Sequence, residues 1–141
     1  MFQLSIGNIF PVEYKTVGSV GFDIPSEESV LLRPGNLHTF KSNIKVTGYE
    51  DLDMPYRNEL QVRSRSSLAK RGVVVSGGIG TVDIDYRGEI MVTLINLGPD
   101  PLWIEPGDRI AQIVECPVFI NVSIPVTNLA RGTGGHGSTG R

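Results

Sequence analysis

Seventeen glycines and nine prolines are scattered along the 141 residues, and few windows of ten escape both. Glycine in a helix interior costs backbone entropy, and proline removes a hydrogen bond and clashes with the preceding turn. A fold of long helices is therefore excluded, and short extended segments cut by turns remain. Seven such segments are legible, at residues 30–33, 43–47, 59–62, 73–75, 89–95, 102–104 and 110–114. Each is β-branched or alternates apolar with polar residues. Several end at turn sequences, such as Pro34-Gly35, Ser76-Gly77-Gly78 and Pro106-Gly107-Asp108. Short strands about 8–12 residues apart, divided in this way, describe a sandwich or barrel. The one helical candidate is a single turn at residues 66–71, stopped by Gly72.

Residues 117–128 alternate strictly through Val118, Ile120, Val122, Ile124 and Val126, with Pro117 and Pro125 near the two ends. Proline is poorly placed in a central strand, so this segment is expected at a sheet edge or packed on a neighbouring subunit. The last eleven residues, RGTGGHGSTGR, contain five glycines and no apolar side chain able to build a core. Such a tail is disordered or closes over a ligand, and its amides, hydroxyls and arginine suit a phosphate. One domain of residues 1–128, including the apolar arm 117–128, and a closing tail of 129–141 follow.

Composition narrows the function. Thirteen basic and fifteen acidic side chains leave a net charge of −2, so no broad attraction to nucleic acid or anionic membrane is expected. One cysteine and two histidines make neither an internal disulfide nor a structural zinc site. No stretch reaches the ~20 apolar residues of a membrane helix, and the start lacks the charged-then-apolar pattern of a signal peptide. A cytoplasmic protein is expected, in the host cytoplasm if the chain is viral.

Four further places can carry chemistry. In GTVDIDYRGEI, residues 80–90, Asp83 and Asp85 share one face if the segment is a strand, and a turn would break that arrangement. Paired carboxylates can bind a hydrated divalent cation or raise each other's proton affinity; solvated hairpin acids are the ordinary alternative. In VRSRSSLAK, Arg65 precedes a helical turn that Ser66 and Ser67 can cap. In PGDRIAQ, Asp108 and Arg109 can form an ion pair, and Gln112 stands between apolar residues. Near the front, Gly21-Phe22-Asp23-Ile24 holds one acid in an apolar patch.

Taken in order, residues 21–24 with Ser26, 65–69, 80–88, 107–112 and 131–140 resemble the five motifs of trimeric dUTPases. The resemblance spans nearly the whole chain, and the third and fifth segments are its specific parts. It implies an all-β, jelly-roll-like distorted β-barrel with one short helical turn and a flexible C-terminal arm. It also implies a homotrimer with active sites shared between subunits, and a bacterial or phage source fits the small size. The implied reaction is hydrolysis of dUTP at the α-phosphorus to dUMP and pyrophosphate, with Mg²⁺ on the triphosphate.

By the same resemblance, Asp83 activates the attacking water and Asp23 contacts the metal through water. Tyr86 packs on the deoxyribose, and the backbone of Gly78, Ile79 and Gly80 reads uracil. Arg65, Ser66, Ser67 and Gln112 lie along the phosphates. In the tail, Arg131 binds the γ-phosphate, while Gly135, Gly137, Ser138 and Thr139 close around the β- and γ-phosphates. His136 lies on the base, where the usual aromatic is Phe, and Gly77 stands where bacterial relatives often carry Asn. A dCTP deaminase or a bifunctional deaminase/dUTPase of the same superfamily is the alternative enzyme; such deaminases are expected to use Glu at the position of Asp83, and the full Gly-rich tail also favours a pyrophosphatase. A non-enzymatic regulatory protein on the same scaffold would not require that tail.

Overall fold

The computed structural model describes residues 1–51, 53, 55–126 and 134. Ten strands and one helix follow in chain order: β1 Phe2–Ile6, β2 Gly21–Pro25, β3 Val30–Leu32, β4 Leu37–Tyr49, β5 Arg57–Arg63, α1 Ser66–Ala69, β6 Val73–Val75, β7 Ile79–Val82, β8 Glu89–Asn96, β9 Leu102–Ile104 and β10 Arg109–Val118. One sheet has the order β1-β4-β8-β6, the second β2-β10-β5-β7, and β3 pairs with β9 alone. Every pairing is antiparallel. The all-β, jelly-roll-like expectation holds. No helix among the described residues is long and apolar enough to cross a membrane.

The core lies between the sheets because each strand buries alternate residues. In β8, Ile90, Val92 and Leu94 point inward, facing Phe40, Ile44 and Val46 of the same layer and Ile24, Leu60, Val62 and Ile113 of the opposite one. Alternation fails where the ladder slips. Between Lys41 and Lys45 the β4–β8 register shifts, and Asn43 takes a left-handed φ of 54°. The Asn43 N–H freed from the ladder donates to the Glu89 carboxylate at 2.8 Å, and buried Ser42 accepts the Ile44 N–H at 3.0 Å. The bulge thus keeps its backbone groups paired.

Several expectations need correction. Of residues 117–128, expected at a sheet edge or on a neighbouring subunit, Pro117 and Val118 belong to β10; Asn121–Ser123 form part of a turn, with Phe119, Val122 and Val126 exposed. Pro117 lies within β10, where only β5 pairs with it, because the β2 ladder covers Arg109–Val114 alone. A residue without N–H is tolerated at such a half-edge. Neither Ser66 nor Ser67 caps α1: Arg65 is the N-cap residue, with no side-chain cap bond. Strands β1, β2 and β7 escaped the pattern reading.

Asn96, fully buried at the end of β8, ties the connection that follows it to the end of β3. Its Nδ2 donates to the carbonyls of Leu32 and Asp100 at 2.9 and 2.8 Å, and its Oδ1 accepts the Gly98 N–H at 2.9 Å. Asn96→Ala is expected to destabilise the fold by about 2–4 kcal/mol, because buried backbone groups lose their partners. A denaturant midpoint at fixed protein concentration, unchanged from the parent, would contradict this.

Candidate active site

The second sheet gathers residues from four separated sequence segments. Asp23 of β2 is opposite Gln112 of β10, Gln112 is opposite Arg63 of β5, and Arg63 is opposite Ile79 of β7. Cross-strand partners share a face, so these positions form one row across the sheet. Arg65 follows two residues beyond Arg63, at the start of α1.

At one end of this row is a charged cluster. Asp23 is buried, and its carboxylate is divided between two guanidiniums: Arg65 Nε donates to Oδ1 at 2.9 Å, and Arg109 Nη1 to Oδ2 at 3.1 Å. Arg65 Nη1 also donates to Ser67 Oγ at 3.2 Å and to the Arg109 carbonyl at 3.3 Å. The expected Asp108–Arg109 pair is replaced: Arg109 turns to Asp23, and Asp108 Oδ2 accepts the Glu105 N–H. Gln112 Nε2 comes within 3.5 Å of the Ser64 carbonyl. Arg63 turns away from the cluster, donating to Gln61 Oε1 and Cys116 Sγ.

The other feature is a cavity of about 280 Å³, lined in part by Val62, Ser76, Gly80, Tyr86 and Thr93. Its volume is near the lower end for small-molecule pockets. The turn leading to its Gly80 wall contains Gly77 and Gly78 at φ of 85° and 90°, conformations that only glycine adopts without strain. Residues 83–86 then bend. The Tyr86 N–H donates to the Asp83 carbonyl at 3.1 Å, so the strand alternation of Asp83 and Asp85 is replaced by a turn, with both acids exposed.

Tyr86 is held by a contact that the sequence did not reveal. Its hydroxyl donates to the Glu89 carbonyl at 2.6 Å, and the ring lies so close to Gly88 that a Cβ there would be 2.3 Å from the hydroxyl oxygen. Three other contributors were missed or set aside. Ser64 accepts the Val75 N–H at 2.8 Å and so ties the Arg65 segment to the strand before the glycine turn. Arg109 enters the cluster, and buried Ser26 accepts from Glu28 while its backbone N–H bonds Asp108. The spacing of PGDRIAQ carries no sign of the strand irregularity that aims Arg109.

The cluster and the cavity are two separate parts of one chain. Asp83 lies four residues along from Ile79, toward the end of β5 opposite Arg65. At about 3.3 Å per residue and 4.8 Å per strand, it is roughly 13 Å along and 14 Å across the sheet from Asp23. Asp83 and Tyr86 are therefore together, as are Asp23, Arg65 and Gln112 with Ser67, but the two groups are apart. The tail residues Arg131, Gly135, His136, Gly137, Ser138 and Thr139 lie outside the described residues. Among the described residues no cluster of His, Cys, Asp or Glu side chains could hold a metal ion, and both Asp23 oxygens already accept from arginine. The donor set does not build a protein cage for a resident cation.

An all-β jelly-roll protein with a cationic cluster and a separate small-ligand cavity is the class these features define. The sequence matches the dUTPase family model over residues 9–140. It is 44% identical over 145 aligned positions to the deoxyuridine 5'-triphosphate nucleotidohydrolase of Chlamydia muridarum, covering 98% of this chain and 95% of the relative. The fold is similar to that of the Staphylococcus bacteriophage 80alpha dUTPase bound to dUPNHPP, with a TM-score of 0.73 and 22% identity, covering 100% of this chain and 99% of that one. It is also similar to a mutant dUTPase from phage phi11 of S. aureus, described with a structural Mg(II) ion; the TM-score is 0.72 and the identity 19%, over 92% of this chain and 98% of that one. This chain belongs to the dUTPase family.

Gly88→Ala is expected to drive the Tyr86 ring from the cavity wall. Nucleotide affinity should fall about tenfold or more, the scale of one lost aromatic contact. Calorimetric titration giving the parental Kd would show that the ring does not face the ligand.

Proposed function

We propose that this protein hydrolyses dUTP to dUMP and pyrophosphate. The reading is carried by the match of residues 9–140 to the dUTPase family model, and it is supported by the backbone turn from Asp83 to Tyr86, a residue that lines the cavity. Asp83 accepts a proton from water as that water's oxygen bonds the α-phosphorus. The bond from this phosphorus to the α,β-bridging oxygen breaks, and the electron pair leaves with pyrophosphate. A carboxylate in hydrogen-bond reach of the nucleophile suffices for such general-base work.

Uracil is read by the backbone of Gly78, Ile79 and Gly80, whose amides and carbonyls match its O4 and N3–H; cytosine reverses that pattern and leaves buried groups unpaired. The Tyr86 ring against the deoxyribose leaves no room for a 2′-hydroxyl. Arg65, Ser66, Ser67 and Gln112 hold phosphate oxygens. Mg²⁺ enters as part of the substrate, spreading the triphosphate charge. Asp23 retains lone pairs beyond its two arginine bonds and accepts from the ion's water shell.

The separation of the phosphate cluster from Asp83 supports a site shared between subunits in a homotrimer, since a single chain leaves the two groups apart. Phe119, Ile120, Val122 and Ile124 are exposed after β10, which supports an apolar arm following Val118 that is seated on a neighbour. The tail of 129–141 closes that site in this reading, with Arg131 and Gly135 to Thr139 around the phosphates and base.

Purified protein given dUTP and Mg²⁺ should release dUMP and pyrophosphate, and neither UTP nor dCTP should be consumed at a comparable rate. Asp83→Asn should lower kcat by about 10²–10⁴-fold while nucleotide Kd is kept. Residual turnover with lost binding would contradict the assigned role. A chain ending before Arg131 should elute as the parental oligomer, with kcat/KM reduced roughly tenfold or more. An unchanged rate would remove the tail from the mechanism.

A further inference from the structure

We propose that Arg109 is a positioning residue for the triphosphate, acting through Asp23 on Arg65; this rests on the dUTPase reading above. Three observations lead to it. First, the β10–β2 ladder slips between Arg109 and Ala111. In an unbroken strand Arg109 would share the face of Ala111 and Ile113, both fully buried. The bulge lets Ile110 point inward, also fully buried, and re-aims Arg109 to the face that carries Asp23 and Gln112. An irregularity in the most heavily paired strand of that sheet is thus spent on one side chain.

Second, the bonds fix the orientation of Arg65. Its Nε is held by Asp23 Oδ1, and its Nη1 by the Arg109 carbonyl and Ser67 Oγ. Among the described residues Nη2 has no hydrogen-bond partner, so the guanidinium is locked on one edge and open on the other. Arg109 Nη1 on Asp23 Oδ2 stops the carboxylate rotating about its own axis. Arg109 therefore contributes twice: its carbonyl touches Arg65 directly, and its side chain holds the group that holds Arg65.

Third, the charges do not cancel. Asp23 and Arg65 alone form a neutral pair, buried to 12% and 19% side-chain exposure. Arg109, at 42% exposure, turns the trio into a net cation facing solvent. A neutral pair gives a polyphosphate little field; a cation with an open guanidinium edge gives it both attraction and geometry.

The test compares the parent with Arg109→Met and Arg109→Lys, using dUTP turnover and calorimetric binding of deoxyuridine and of inorganic tripolyphosphate. Arg109→Met is expected to raise KM for dUTP and Kd for tripolyphosphate about tenfold, the scale of a lost charged hydrogen bond. Its deoxyuridine affinity should stay parental. Arg109→Lys, which keeps the charge, should recover part of the loss. In an Asp23→Asn background, where the carboxylate that links the two arginines is gone, the further loss on Arg109→Met should be smaller than in the parent.

Unchanged tripolyphosphate binding and KM in a folded Arg109→Met protein would overturn the proposal, as would an undiminished further loss in the Asp23→Asn background. Should Arg109→Met not fold, Arg109→Lys decides: a raised KM with kcat retained supports positioning, and parental KM overturns it. If the parent fails to hydrolyse dUTP yet loses tripolyphosphate binding with Arg109, the substrate reading fails and the positioning role stands.

Discussion

The central ladder of β10 between β2 and β5 is the constraint on which the rest depends. Side chains alternate across a strand, so a slip of one residue would exchange every inward and outward position. Ala111 and Ile113 are buried in the core, whereas Gln112 emerges on the other face between Asp23 and Arg63. Burial of the apolar set therefore fixes where the polar set appears. Packing and ligand chemistry are not separate problems here: the same register that fills the core puts residues distant in sequence into one row.

Inside that row, burying Asp23 would be costly if it stood alone. A carboxylate removed from water needs charged donors on both oxygens, and Arg65 and Arg109 supply them. The arrangement also explains why those arginines do not fold back on surface acids. Asp108, next to Arg109 in sequence, is held by the Glu105 N–H, and its carbonyl accepts from Ser26. Adjacent residues serve different neighbours because the turn and the bulge send them in different directions.

How much of this was legible follows from the kind of signal involved. The alternation of Ile90, Val92 and Leu94 announces a half-buried strand, and β8 was read almost to its ends. FQLSI shows only weak alternation and forms an edge strand, while GFDIP conceals its strand character behind an acid and a terminal proline. Those failures are local. Arg109 was a different kind of failure, since a bulge is a property of two paired strands and leaves no mark on one. The role of Gly88 was equally hidden: it depends on a ring two residues away bending back over it. Asp83 and Tyr86 stand out in the sequence only because their types and spacing resemble a known motif. Strand geometry by itself would have put them on opposite faces, and the turn that joins them is visible only in the hydrogen bond between them.

The two halves of the proposed site differ in how recognition is built. In the proposed reading, the nucleoside is read by peptide groups of residues 78–80, which follow a turn with Gly77 and Gly78 at positive φ, and no side chain can be deleted to remove them. Changes there must act by distorting the turn or the Tyr86 wall. On the proposed phosphate side, the readers are long side chains, and their precision comes from being tied to each other. Arg65 alone would sample many rotamers and lose entropy on binding; with Asp23, Ser67 and the Arg109 carbonyl around it, that loss is taken during folding. In that reading, base selection rests on backbone conformation and phosphate binding on a pre-ordered charge cluster. Ser64 is the physical link between them within one chain, because it stands beside Arg65 in sequence and accepts the N–H of Val75 at the foot of the glycine turn.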